Sequence, residues 1–375
     1  MTPQIEVLLV ALVVSLACAL PGNFLVLRQM SLMSDAISHS VLLGIVIGFF
    51  ITGQIDSPVL LILAAATGVL TVSLVELLHQ TRLVREDAAI GIVFPALFSL
   101  GVILVTRYAG SVHIDQDVVL LGEIALSPFD RITFWGWNLP RALVTMSVIL
   151  GVTILCLFLF YKELKISTFD VGLATSLGFS PALINYGLMS LVSITCVGAF
   201  DAVGAVLVVA LMIVPPATSY LLTDRLSVML FLSSLIGAIS AILGYSVAIK
   251  FDASIAGSMA GMTGICFLLA FLFAPQRGMM AVLFRRLQQK WVFAQNMLLI
   301  HLVNSKISSN RTENDQYLIV CHLDQIHHRL NWNESFTQSV VNYAQKHGSV
   351  EIRDRVLYLT NVGQDIANQA FVELT

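Results

Sequence analysis

The sequence has no Gly-x-x-x-x-Gly-Lys-[Ser/Thr] loop, and its 375 residues contain not one Gly-Lys pair. It cannot cradle nucleotide phosphates in the P-loop manner, so any use of ATP needs a nucleotide site on another polypeptide. His-Glu-x-x-His and Gly-x-Ser-x-Gly are missing as well. Membrane-protease and hydrolase chemistry therefore has no motif to stand on. Charge is scarce: 11% of the residues are Asp, Glu, Lys or Arg, where a soluble domain carries about a quarter. The five cysteines (Cys18, Cys156, Cys196, Cys266 and Cys321) show no metal-ligand spacing. Four of them fall in apolar segments and read as small apolar fillers. No basic residue precedes Arg28, and the first apolar run is about 20 residues long. That run reads as a retained transmembrane helix and not as a cleaved signal peptide.

What is present is apolar. Hydrophobic residues make up 57% of the chain and the mean hydropathy is +0.87, the composition of a membrane protein. The polarity is uneven, because residues 1–284 hold 11 of the 20 Lys and Arg and the last 91 residues hold the other 9. An all-α polytopic transmembrane domain over 1–284 is expected, followed by a small soluble α+β domain over 285–375. Apolar runs long enough to span occur at about 5–27, 36–54, 58–78, 89–107, 142–161, 181–200, 203–222, 227–249 and 254–274. Asp201 interrupts the 181–222 region, and Pro215-Pro216 is expected to break or kink its second half. With the N-terminus outside, ten basic residues fall on inner loops and four on outer loops (Arg107, Arg131, Arg141 and Lys250). This bias predicts a cytoplasmic C-terminus. The net charge of −3 says little about partners.

Residues 30–48 open the second span with an aspartate and a histidine four positions apart, Asp35 and His39. That spacing puts both on one helical face. Ionisable groups in a bilayer are costly and mark polar pathways, and a carboxylate with an imidazole suits a divalent transition metal. A capping aspartate beside an interior histidine is the other reading of the same two residues. Deeper in this helix Gly44-x-x-x-Gly48, like Gly257-x-x-x-Gly261, has the spacing that permits close backbone approach. The loop over 111–123 gathers His113, Asp115, Asp117 and Glu123, either solvated or attracting a cation or an extracellular partner. The segment over 164–178 is too short and polar to span. Thr168 or Asp170 can cap a short helix there, Gly178 can end it, and Pro181 opens the next span. It is a docking element for a soluble partner or a plain amphipathic connector.

Several stretches together resemble the permease subunits of bacterial ABC importers for manganese, zinc and chelated iron. They are Leu27-Arg-Gln-Met-Ser-Leu-Met-Ser-Asp-Ala-Ile-Ser-His-Ser, Glu86-Asp-Ala-Ala-Ile-Gly-Ile, and His113-Ile-Asp-Gln-Asp with Gly122-Glu123. Thr168-Phe-Asp-Val-Gly-Leu-Ala-Thr-Ser-Leu-Gly and Val203-Gly-Ala-Val-Leu-Val-Val-Ala-Leu-Met-Ile-Val-Pro-Pro-Ala follow in the family's order. The His113 loop is most similar to the manganese and iron branch. The resemblance implies a multi-pass protein of the bacterial inner membrane that is not itself an enzyme. It implies a partner ATPase subunit in the cytoplasm, an extracytoplasmic metal-binding lipoprotein, and a second permease chain, identical or a sibling. It carries metal ligation onto Asp35 and His39, with manganese, iron or zinc as the transported ion and no permanently bound cofactor. It carries the ATPase-contacting coupling helix onto Thr168, Phe169, Asp170, Leu173, Ala174, Leu177 and Gly178. One Asp and one His leave a divalent ion short of ligands, whereas two permeases about a two-fold axis supply an N2O2 set.

Beyond residue 285 the chain departs from that family's usual pattern. Amphipathic helices are expected over 294–304, 316–330 and 335–347, then a hairpin over 348–360 and a last helix from Thr360. The order, with Leu359-Thr-x-x-Gly363-x-x-x-Ala367, resembles a winged-helix domain, including those of metal-responsive repressors. With 9 basic and 8 acidic residues the tail carries +1, poor electrostatics for nucleic acid. A regulatory or assembly module ranks ahead of a structural appendage, and a DNA binder comes third. His322, His327 and His328 are candidate metal ligands or a solvated cluster. Two other functions remain open on sequence: an ion-coupled secondary metal transporter, and a membrane-tethered regulator acting through the tail.

Overall fold

The structure, a computed structural model, describes the chain except residues 1, 54–57, 109–123, 135–136, 309–320, 323–325, 327–328, 354–355 and 374–375. It divides into two compact units, Met1–Gly278 and Met279–Thr375.

The first unit is the membrane domain, helical but for one short β-hairpin among the described residues. Among the described residues, nine helices are long and apolar enough to cross a bilayer. They are α1 (Pro3–Leu27), α2 (Leu32–Thr52), α3 (Pro58–Gln80), α4 (Glu86–Tyr108), α5 (Arg141–Leu159), α8 (Pro181–Val203), α9 (Ala205–Leu222), α10 (Leu226–Phe251) and α11 (Ile255–Phe273). Two short helices, α6 (Tyr161–Phe169) and α7 (Val171–Ser176), follow α5, and a hairpin of β1 (Arg131–Phe134) and β2 (Trp137–Pro140) precedes it. That hairpin was not foreseen from the sequence.

Helix α1 is the centre of this unit, packed on α5, α8, α9 and α10. Two of its buried polar side chains, Glu6 and Asn23, tie it to other elements. Buried Glu6 meets Arg131 Nη2 at 2.7 Å, which ties the β1–β2 hairpin to the start of α1. Asn23 Nδ2 donates to Ala19 O and to Ser233 Oγ on α10, both at 2.7 Å. Because lipid is as apolar as leucine, helices associate here by close packing and such polar contacts, not by hydrophobic expulsion from water.

The proline pair does not end α9, which runs on to Leu222. Pro216 has no N–H to give to the carbonyl of Met212, four residues back. Gly22 of α1 lies directly against that carbonyl, so close that any Cβ would collide with it. The freed oxygen is thus shielded from lipid by protein, as irregular backbone at membrane depth requires. Gly44 plays a similar part on α2, where an added Cβ would meet Leu63 O and Thr67 Oγ1 of α3 at 2.5 Å. Gly257 and Gly261 differ: the first faces only its own capping Ser254, and the second has nothing within 4 Å. Asp201 does not interrupt α8 either; the helix continues through it and turns at Gly204, whose φ is +83°. Cys18 and Cys196 are fully enclosed in the same core, with Cys196 Sγ 3.6 Å from Met212 Sδ.

The second unit is α+β. Helix α12 (Met279–Ser308) leads to strand β3 (Cys321–His322), α13 (Glu334–Lys346), the hairpin β4 (Val350–Arg353) and β5 (Val356–Leu359), and α14 (Asn361–Glu373). The sheet is antiparallel in the order β3-β5-β4. Its core joins Leu298 and Leu302 of α12 to Val340 and Ala344 of α13, Leu357 of β5 and Ala367 of α14. The helix expected over 316–330 is corrected at Cys321–His322, which pair with β5 instead. The run Leu-Ile-Val-Cys before His322 is short and β-branched, and periodicity alone does not separate such a run from a buried helix.

Gly22→Val is expected to lower the thermal unfolding midpoint of the detergent-solubilised chain, through the about 1–3 kcal/mol that overpacking costs. Gly261→Ala, which meets nothing, is expected not to lower it.

Candidate metal site and coupling corner

Helix α2 buries Ala36, Ile37, Ser40 and Gly44. Ser40 Oγ accepts a 2.7 Å bond from Thr71 Oγ1 of α3, so this face is fixed against its neighbour. Asp35 and His39 therefore share a different face. Asp35 Oδ1 and His39 Nε2 lie 3.5 Å apart. With metal–ligand bonds of about 2.1 Å, that separation corresponds to a ligand–metal–ligand angle of about 110°, within the range of real sites. That spacing lets one ion bridge the two atoms. The imidazole is oriented by α4: Phe94 stacks on it at 5.8 Å and Phe98 meets it edge-on at 6.0 Å.

Two features limit what one chain can do. Among the described residues no three His, Cys, Asp or Glu side chains gather to hold an ion. The pair is also only half covered, His39 being 34% and Asp35 45% exposed. An ionisable pair left open on a membrane helix demands a cavity or a neighbour.

At the other end of α5 the chain turns a corner built from α6 and α7. Asp170 is the N-cap of α7, its Oδ1 accepting from Leu173 N at 2.9 Å. Gly178, at φ +86°, ends that corner, and Ser180 caps α8 ahead of Pro181. Thr168 is not the cap; it lies in the last turn of α6 and donates to Leu164 O at 2.6 Å. Ala174 is buried, while Phe169, Leu173 and Leu177 are exposed, an apolar edge on a corner too polar to lie in lipid.

Sequence reasoning missed the group that joins this corner to the spans. Arg28, just after α1, donates from Nε to Thr168 Oγ1 at 3.2 Å and from Nη1 to Asn185 Oδ1 at 2.7 Å. Burial pushes the pKa of its guanidinium down from the ordinary value. The one available signal was a lone arginine at the end of the first span. The 111–123 loop, including His113 and Glu123, lies outside the described residues, as do His327, His328 and the side chain of His322.

The family described as the ABC 3 transport family matches residues 3–274 of this chain. The chain belongs to the ABC 3 transport family. Among its relatives, the zinc transport system membrane protein TroD of Treponema pallidum is 51% identical over 362 residues, covering 96% of this chain and 97% of that protein. The manganese transport system membrane protein MntD of Bacillus subtilis is 48% identical over 278 residues, 74% of this chain and 94% of MntD. Among solved structures, PsaBC from Streptococcus pneumoniae in complex with Fab matches with a TM-score of 0.62 and 30% identity, over 74% of this chain and 94% of that chain. TroD is thus matched through the second unit as well as the first. The ABC 3 match stops at residue 274, before α12 begins.

Asp170→Ala is expected to remove about 1 kcal/mol of local stability, the usual worth of an N-cap. The check is faster amide hydrogen exchange across Val171–Ser176, with exchange in α8 unchanged.

Proposed function

We propose that this chain is the membrane permease of an ATP-driven importer of divalent metal ions. The observation that carries this reading is the Asp35–His39 pair, spaced to share one ion and left half uncovered by its own chain. A second permease chain, identical or a sibling, doubles the donors to two carboxylates and two imidazoles and covers the open face. The carboxylates also offset the charge of a divalent ion at membrane depth, which a neutral pathway cannot do.

Residues 168–178 are the contact for a separate cytoplasmic ATPase, with Phe169, Leu173 and Leu177 seated in it, Asp170 and Gly178 shaping the corner, Ala174 packing it and Thr168 tying it to the spans. Hydrolysis of ATP belongs to that subunit, so the permease is not an enzyme. An extracytoplasmic metal-binding lipoprotein delivers the ion on the side of the N-terminus. The excess of basic residues on the opposite loops supports a cytoplasmic C-terminus, and with it a cytoplasmic second unit. We read that unit, with its winged-helix-like order of elements, as a regulatory or assembly module. Relatives are named for zinc, manganese and chelated iron. A mixed carboxylate–imidazole set accepts each of these ions, with geometry and supply deciding among them.

His39→Ala and Asp35→Ala are each expected to abolish uptake of radiolabelled manganese or zinc, while the permease still co-purifies with its ATPase. Normal metal accumulation in either variant would overturn the assignment.

A further inference from the structure

Arg28 begins the four-residue link between α1 and α2, and backbone bonds lock that link. Arg28 N donates to Phe24 O at 3.0 Å, Gln29 N to Val26 O at 3.1 Å, and Met30 N to Leu25 O at 2.9 Å. Gln29 takes a left-handed φ of +62° to make the turn, a conformation that costs a residue with a Cβ and persists only where the surroundings impose it. Met33 N then donates to Met30 O at 3.0 Å, which starts α2. A shift of Arg28 is passed through this link to α2, and Asp35 stands in the first turn of that helix.

From this rigid link the guanidinium reaches out to two other helices. Nε binds Thr168 Oγ1 at 3.2 Å and Nη2 lies 3.5 Å from Ser167 Oγ, both in the last turn of α6. Nη1 binds Asn185 Oδ1 of α8 at 2.7 Å, and Asn185 Nδ2 in turn lies 3.5 Å from Glu76 Oε2 of α3. Thus a single side chain gathers the α1–α2 link and the ends of α6 and α8, with α3 reached through Asn185. The planar fork of arginine makes this possible; an ammonium is a point charge and cannot span the same acceptors. The guanidinium contacts named above go to two hydroxyls and an amide, and the Glu76 carboxylate is reached through Asn185. Such neutral acceptors bind a cation more weakly than a carboxylate does, so the latch can change partners as the corner moves.

We propose that Arg28 is the positioning residue that transmits motion of the α6–α7 corner to the Asp35–His39 pair. This rests on the reading of that corner as the ATPase contact and of the pair as the ion's resting place. When the corner shifts, the Thr168 and Ser167 contacts pull on the guanidinium, and the locked link turns that pull into a displacement of α2.

The test uses the whole transporter, with its ATPase and second permease chain, reconstituted in proteoliposomes with manganese(II) as the probe. In Arg28→Gln and Arg28→Lys the complex assembles and ATP turnover persists, while manganese ions moved per ATP fall about tenfold, within the range of ordinary coupling energies. Asn185→Leu lowers the same ratio, and adding it to Arg28→Gln lowers it no further, because both cut one connection. A purely structural role predicts the opposite: uptake and ATP turnover fall together through lost assembly, or the two substitutions act multiplicatively. Either result overturns the proposal, as does an unchanged ratio. His39→Ala separates the two levels. Uptake that depends on His39 with an unchanged ratio in Arg28→Gln sinks the latch alone, whereas uptake indifferent to His39 sinks the reading beneath it.

Discussion

A bilayer supplies no partner for an ionised or strongly polar side chain, and this constraint orders the membrane unit. Glu6 is matched by Arg131, Asn23 by Ser233 and the Ala19 carbonyl, and Arg28 by Thr168 and Asn185. Each of these closes within the chain, and the Glu6–Arg131, Asn23–Ser233 and Arg28 contacts join elements distant in sequence. Asp35 and His39 satisfy one another at 3.5 Å yet remain open on one side. Set against the closed contacts of Glu6 and Arg28, that opening is what sets the pair apart.

The spans were readable because a transmembrane helix announces itself by length and hydropathy, a signal that needs no knowledge of neighbours. The Asp35–His39 pairing was readable for a similar reason, since an i, i+4 spacing fixes a face wherever the helix lies. Asp170 and Gly178 behaved as a cap and a stop, roles set by local backbone chemistry. Contacts between remote segments were not readable. Thr168 lies 140 residues from Arg28 and Asn185 lies 157 away, and no periodicity links them. The shielding of the Met212 carbonyl by Gly22 was hidden for the same reason, so Pro215-Pro216 suggested a break where the fold keeps a helix. The hairpin Arg131–Pro140 escaped notice because four-residue strands between two apolar spans give almost no alternation to detect.

The two units are built on different physics. The membrane unit relies on small residues and buried polar links, and it alone falls within the ABC 3 match. The second unit has the mixed helices, short sheet and apolar core of a water-soluble domain, centred on Leu298, Val340 and Leu357. Its strand β5 lies in the middle of the sheet with both edges occupied, while β3 and β4 form the short edges. Edges of two to four residues offer little template for unwanted strand pairing.

The two enclosed thiols have a practical consequence. Cys18 of α1 and Cys196 of α8 are buried, 0% and 1% exposed, in the core that α1, α8 and α9 help to build. A water-borne alkylating reagent reaches them only after those three helices separate. The rate at which they are alkylated is therefore an intrinsic clock for opening of the membrane core, readable by mass spectrometry with no residue substituted.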